Sequence, residues 1–177
     1  MYKKSGFTVL ELIVCLVIIS VIAATAMMKF MQIQADARAN KMHEIAANLQ
    51  TGIDMVYAKS MIEGVENECA YKEPYTRIYG YPVCHAFPIA YISSVSELMN
   101  IPPKEDQDGN DINQDYPLYV RNIKIQNKGV NTEHEEELVA AIHFKGTKYT
   151  FLPKGDYCQV LYQPEREPQI VVLDSAC

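Results

Sequence analysis

Among residues 5–28 a single side chain carries charge, and it is Glu11. It stands near the start of an apolar run, where an ionised acid carried to the centre of a bilayer costs about 2.5–3.5 kcal/mol on insertion scales. Such an acid needs a partner. Cleavage between Gly6 and Phe7 would create one, because the freed α-amine of Phe7 is a cation a little over one helical turn from Glu11. The amine can meet its own Glu11 or that of a neighbouring chain. A second chemistry rests on cysteine. Cys69, Cys84, Cys158 and Cys177 form an even set downstream of a membrane-export segment, which favours a disulfide framework. Three pairings are open. Local pairing, Cys69 with Cys84 and Cys158 with Cys177, is the simplest, and each such loop contributes about 3 kcal/mol in the chain-entropy account. Cys15 lies inside the apolar run and reads as a small buried hydrophobe.

The element that must position Glu11 is a helix. Phe7 to Met31 would measure about 37 Å, enough to span a hydrocarbon layer of about 30 Å. A discarded signal peptide competes with this reading, since Ala24-Thr25-Ala26 offers an A-x-A site, but the apolar run exceeds the usual core of such a peptide. Beyond Met31 the helical pattern continues with apolar positions Ile33, Ala37, Ile45, Leu49, Ile53, Val56 and Tyr57 on one face. The first proline is Pro74. One helix is therefore expected from about Phe7 to Ile62, about 80–85 Å long, stopping at Glu63-Gly64 with Gly64 as a left-handed cap. The domain boundaries that follow are a leader over 1–6, an apolar helix over 7–31, its amphipathic half over 32–63 and a head over 64–177.

Gly6-Phe7-Thr8-Val9-Leu10-Glu11, set between a short basic leader and an unbroken apolar helix, resembles the processing signature of type IV pilins and pseudopilins. The resemblance implies a prepilin peptidase that cuts after Gly6, N-methylation of Phe7, and a Glu11 that guides subunit docking. It implies the α+β type IV pilin fold: a long N-terminal helix packed on an antiparallel β-sheet, with a disulfide-closed C-terminal region. Many members carry Gly and Pro where Ser20 and Met28 stand here, so continuous helix is expected through this stretch. Met31-Gln32-Ile33-Gln34-Ala35-Asp36-Ala37-Arg38, the Tyr79-Gly80-Tyr81-Pro82 turn and the ending from Tyr157-Cys158-Gln159-Val160 to Cys177 resemble the mannose-sensitive haemagglutinin type. The implied role is a pilus subunit in surface attachment and biofilm formation. Its partners would be other pilin subunits, the peptidase and inner-membrane assembly machinery. Its location would be the bacterial inner membrane and then an extracellular pilus. A pseudopilin of type II secretion is the alternative, and a glycan-binding module anchored by the helix is a rival of another class.

The 177 residues suit one domain behind the helix. Formal net charge is -6, and -8 once Lys3 and Lys4 leave with the leader, with 14 basic against 22 acidic residues. No basic cluster offers phosphate contacts, so nucleic acid is not an expected partner. His43-Glu44 lacks the second histidine of a zinc-protease helix, His134 lies among glutamates, His143 sits in a strand pattern and His85 follows Cys84. No catalytic residue, enzyme activity or cofactor is expected. In the acidic stretch 104–115, Asp106, Asp108 and Asn110 are the nearest approach to a calcium site, but the EF-hand spacing is not met and a solvated turn is the simpler reading.

Residues 66–100 read as a long stapled loop rather than strands, because Pro74, Pro82, Pro88 and Gly80 crowd it. Within it Ser93 to Met99 reads as a short helix capped by Ser94, with Leu98 facing inward. The loop region is set at 64–115 and the sheet at 116–177. Strands are expected at 116–127, 138–144, 148–151, 157–162 and 169–173, with a tight hairpin at Lys145-Gly146-Thr147, giving an antiparallel sheet whose one face packs on the stripe from Ile45 to Tyr57.

Overall fold

A computed structural model describes residues 8–69, 76–101, 117–126 and 136–177. Helix α1 runs Val9–Glu63 without interruption. Residues up to Ala37 form one compact unit and Arg38–Cys177 a second. The helix ends where Gly64 adopts φ +72° and the Val65 N–H donates to the Ser60 carbonyl at 3.1 Å. That bond from Val65 back to Ser60, across the left-handed Gly64, is a Schellman cap, and Val65 adds its apolar contact beside Val56.

In the second unit, α1 buries Met42, Ile45, Leu49, Ile53, Val56 and Ser60. Their steps of three and four residues place them along one stripe. Four of them enter the main core with Val120, Ala140, Ile142, Val160 and Tyr162. Those partners belong to an antiparallel sheet of four strands in sequential order, numbered here in chain order: β4 (Leu118–Gln126), β5 (Glu136–Phe144), β6 (Gln159–Tyr162) and β7 (Ile170–Leu173). The architecture is α+β, a long N-terminal helix packed on an antiparallel sheet, and Cys158–Cys177 closes the C-terminal region.

The β5 run Leu138-Val139-Ala140-Ala141-Ile142 is buried throughout. Alternation splits it: Leu138, Ala140 and Ile142 meet the helix side, while Val139 and Ala141 join Leu161 and Phe151 in a separate cluster on the other face. The sheet is thus covered twice, which is why β5 is apolar at consecutive positions rather than alternate ones.

The segment 148–151, expected as a strand, is not one. It lies over the outer face, and a side chain takes the place of a neighbouring strand. Gln159 Oε1 accepts from the Thr150 N–H at 2.8 Å, and Gln159 Nε2 donates to the Thr150 carbonyl at 2.7 Å. The Lys145-Gly146 turn therefore leads into this cover and not into a two-residue hairpin. Gln159 is fully buried, so its loss strands backbone groups. Gln159→Leu is expected to cost about 1–3 kcal/mol and to release the Thr150 amide to rapid hydrogen exchange. Unchanged protection of that amide would show the pairing to be dispensable.

The region 76–88, expected to lack strands, holds a small antiparallel sheet: β1 (Arg77–Ile78), β2 (Tyr81–Cys84) and β3 (Phe87–Pro88). Two-residue turns join them, Tyr79-Gly80 and His85-Ala86, all four residues at positive φ. That is the backbone that hairpins of this length require. The strands are two to four residues long, and Tyr79, His85 and Ala86 are not residues that advertise it. Cys69–Cys84 ties β2 to the chain leaving α1. Ser60 adds a buried hydroxyl placed 2.9 Å from the Val56 carbonyl and 3.1 Å from that of Ala86.

Helix α2 spans Ile92–Leu98. Its N-cap is Tyr91, without a side-chain cap bond, and Ser94 is buried inside the helix instead of capping it. Leu98 does pack inward, and its Cδ2 would lie 3.1 Å from a Cβ at Gly52. Only a glycine lets α1 and α2 approach this closely without displacing that side chain.

Candidate functional site: the N-terminal helix

Thr8 begins the helix. Its Oγ1 accepts the Glu11 N–H at 3.3 Å, and its carbonyl accepts the Leu12 N–H at 3.2 Å. Thr8 is thus the N-cap and Glu11 the third helical residue, the spacing of a capping box. The Glu11 carboxylate also lies in the first turn, where the positive end of the helix dipole favours an anion. The Thr8-x-x-Glu11 spacing is the sequence signal for this cap. Gly6 and Phe7 lie outside the described residues, as do Asp106, Asp108, Asn110 and His134.

From Val9 onward every apolar side chain of the first unit except the half-buried Ala35 is exposed. Leu10, Leu12, Ile13, Leu16, Ile19 and Ile22 all stand more than half exposed. Cys15, also exposed and free, belongs to the same surface, so its burial would have to come from outside the chain. The helix reaches a mean hydropathy of 2.7 over an 18-residue window, long and apolar enough to cross a membrane. The few hydroxyls are satisfied internally: Ser20 Oγ donates to the Val17 carbonyl at 2.7 Å, and Thr25 Oγ1 to that of Ile22 at 2.9 Å. Surroundings that supply no hydrogen bonds then cost these groups little.

Residues 1–27 match the prokaryotic N-terminal methylation motif. The motif is typical of type IV pilins and pseudopilins, and it marks structural subunits rather than a family of enzymes. It fits a membrane-anchored precursor and implies processing by a prepilin peptidase and assembly into pilus-like polymers. The α+β architecture is consistent with the type IV pilin fold. No curated protein and no solved structure matches the chain at a significant level.

The other residues weighed for chemistry do not converge among the described residues. His43 Nε2 lies 3.0 Å from Asp174 Oδ2 on the surface, an exposed pair of small energetic weight. His143 is buried, its Nδ1 donates to the Phe144 carbonyl at 2.9 Å, and its ring stacks on Tyr149 at 4.5 Å. His85 occupies the second hairpin turn and lies close to Cys69 and Cys84. The two sulfurs are bonded to each other, so they offer no thiolate to a metal.

Proposed function

We propose that this chain is a structural subunit of a type IV pilus filament, polymerised through its N-terminal helix and serving surface attachment and biofilm formation. The carrying observation is the uncovered apolar surface of α1, most of it within the stretch that matches the methylation motif. In a membrane, lipid covers that surface. Once the subunit is drawn out, only other copies of the same helix can. A heterologous contact repeated about a screw axis does not close, so it yields an open filament. In this reading the peptidase cuts between Gly6 and Phe7, Phe7 is N-methylated, and residues 7–31 become the filament core. Residues 32–63 join that core to the head over 64–177, and the assembly machinery of the inner membrane delivers the subunit to an extracellular pilus.

The Phe7 amine of one subunit pairs with Glu11 of the next. A single acid and a single amine in an apolar core fix the axial step, because any other offset leaves both charges without a partner. Mass spectrometry of the native protein is expected to show a mature chain that begins at Phe7 and carries one extra methyl group. A chain beginning at Met27 would mean that the apolar helix had been discarded, and filament assembly with it. Deletion of the gene is expected to abolish adhesion with protein secretion intact. The opposite pattern would assign the chain to a secretion pseudopilus.

A further inference from the structure

A cleft of about 400 Å³ opens in the second unit between α1, β3 and the chain entering β7. Its floor is aromatic. Tyr57 and Phe87 stack with centroids 4.9 Å apart at 21°, and Tyr57 remains 39% exposed. Its rim is polar, made by Gln50, Asp54, Glu167 and Gln169. Among the described residues no lysine, arginine or histidine lines it.

Each rim amide has one of its two donors engaged. Gln50 Nε2 donates to Asp54 Oδ1 at 2.8 Å, and Gln169 Nε2 to the Pro164 carbonyl at 2.9 Å. Among the described residues none makes a hydrogen bond or ion pair with the Glu167 carboxylate. The rim thus carries two carboxylates, and no basic side chain among the described residues that line it, beside an aromatic ring. A guanidinium has five N–H donors and no acceptor. It pairs with carboxylates through a planar fork and stacks on aromatic faces, which an ammonium does less well.

From this we infer that the cleft is a binding site for an arginine side chain presented by a protein partner, held between the Asp54 and Glu167 carboxylates over Tyr57. The inference does not depend on filament assembly. It is tested on the full chain in detergent micelles by following the ring resonances of Tyr57 and Phe87. The probes are N-acetyl-arginine amide, its uncharged isostere N-acetyl-citrulline amide, and N-acetyl-lysine amide. Arginine is expected to give saturable shifts confined to the cleft, citrulline none, and lysine weaker binding. Asp54→Asn and Glu167→Gln, both at exposed positions, are each expected to weaken arginine binding about threefold or more. Equal binding of citrulline, an arginine affinity unchanged in both variants, or the absence of saturable shifts would overturn the site. Equal binding of lysine would overturn the guanidinium assignment.

Discussion

Glu11→Val is expected to leave the chain inserted in the membrane and to abolish its filaments. Insertion rests on apolar length, and valine lengthens the uncharged run. Assembly in the proposed filament rests on a charge pair that valine removes, leaving the amine of each neighbouring Phe7 without its partner. Taking an uncompensated charge in apolar surroundings at about 3 kcal/mol, the yield of sheared fibres should fall about 100-fold, while the membrane fraction keeps its full content of the protein. Immunoblots of the two fractions measure both. Glu11 has a second role in the structure, because its N–H closes the cap on Thr8, and Glu11→Gln separates the two. Glutamine serves at the third position of a capping box as glutamate does, but it carries no charge. Loss of fibres in both variants assigns the effect to charge. Normal fibres from Glu11→Val would remove the pairing from the account altogether.

The parts of the fold that were legible in the sequence are those governed by periodicity. No proline and one glycine, Gly52, interrupt the helical pattern from Val9 to Glu63, and the steps between Ile45, Leu49 and Ile53 mark the face that meets the larger sheet, with Val56 continuing it onto the smaller one. The four strands of the larger sheet fall within one or two residues of their expected positions. What failed depends on single tertiary contacts. Residues 148–151 alternate as a strand should, yet their backbone partner is the Gln159 side chain, which no pattern in the segment itself announces. The hairpins of 77–88 were missed because strands of two to four residues are too short for a period, and because the second turn uses His85-Ala86 where Asn-Gly would have signalled it. Ser94 has the composition of an N-cap but sits past the helix start, since the chain turns at Tyr91. At the N-terminal site Glu11 was conspicuous as a lone charge. Thr8 was not, because a threonine beside a long apolar run draws no notice until its hydroxyl is seen on the Glu11 amide. The cleft at Tyr57 and Phe87 could not be read at all, as its walls come from three separate regions of the chain.

Tyr162→Ala is expected to lower the stability of the second unit by about 3–5 kcal/mol, a large share of the 5–15 kcal/mol of an ordinary domain. Tyr162 is fully buried in the main core, and its hydroxyl donates to the Pro88 carbonyl at 2.6 Å. It therefore does two things: the ring fills space between α1 and the sheet, and the hydroxyl ties β6 to β3 of the smaller sheet. Complete burial also pushes the phenol far above its ordinary range, so it remains a donor throughout the pH range in which the protein is handled. Tyr162→Phe keeps the ring and removes the bond, at a cost of about 1 kcal/mol. At about 3 °C per kcal/mol for a unit of this size, near-UV circular dichroism with the disulfides kept oxidised should show melting lowered by about 10 °C for alanine and about 3 °C for phenylalanine. Equal losses in the two variants would mean that the ring contributes nothing beyond its hydroxyl, and that the packing of β6 against α1 is not what holds the head together. Unequal losses in the expected ratio place the burden on packing between α1 and β6.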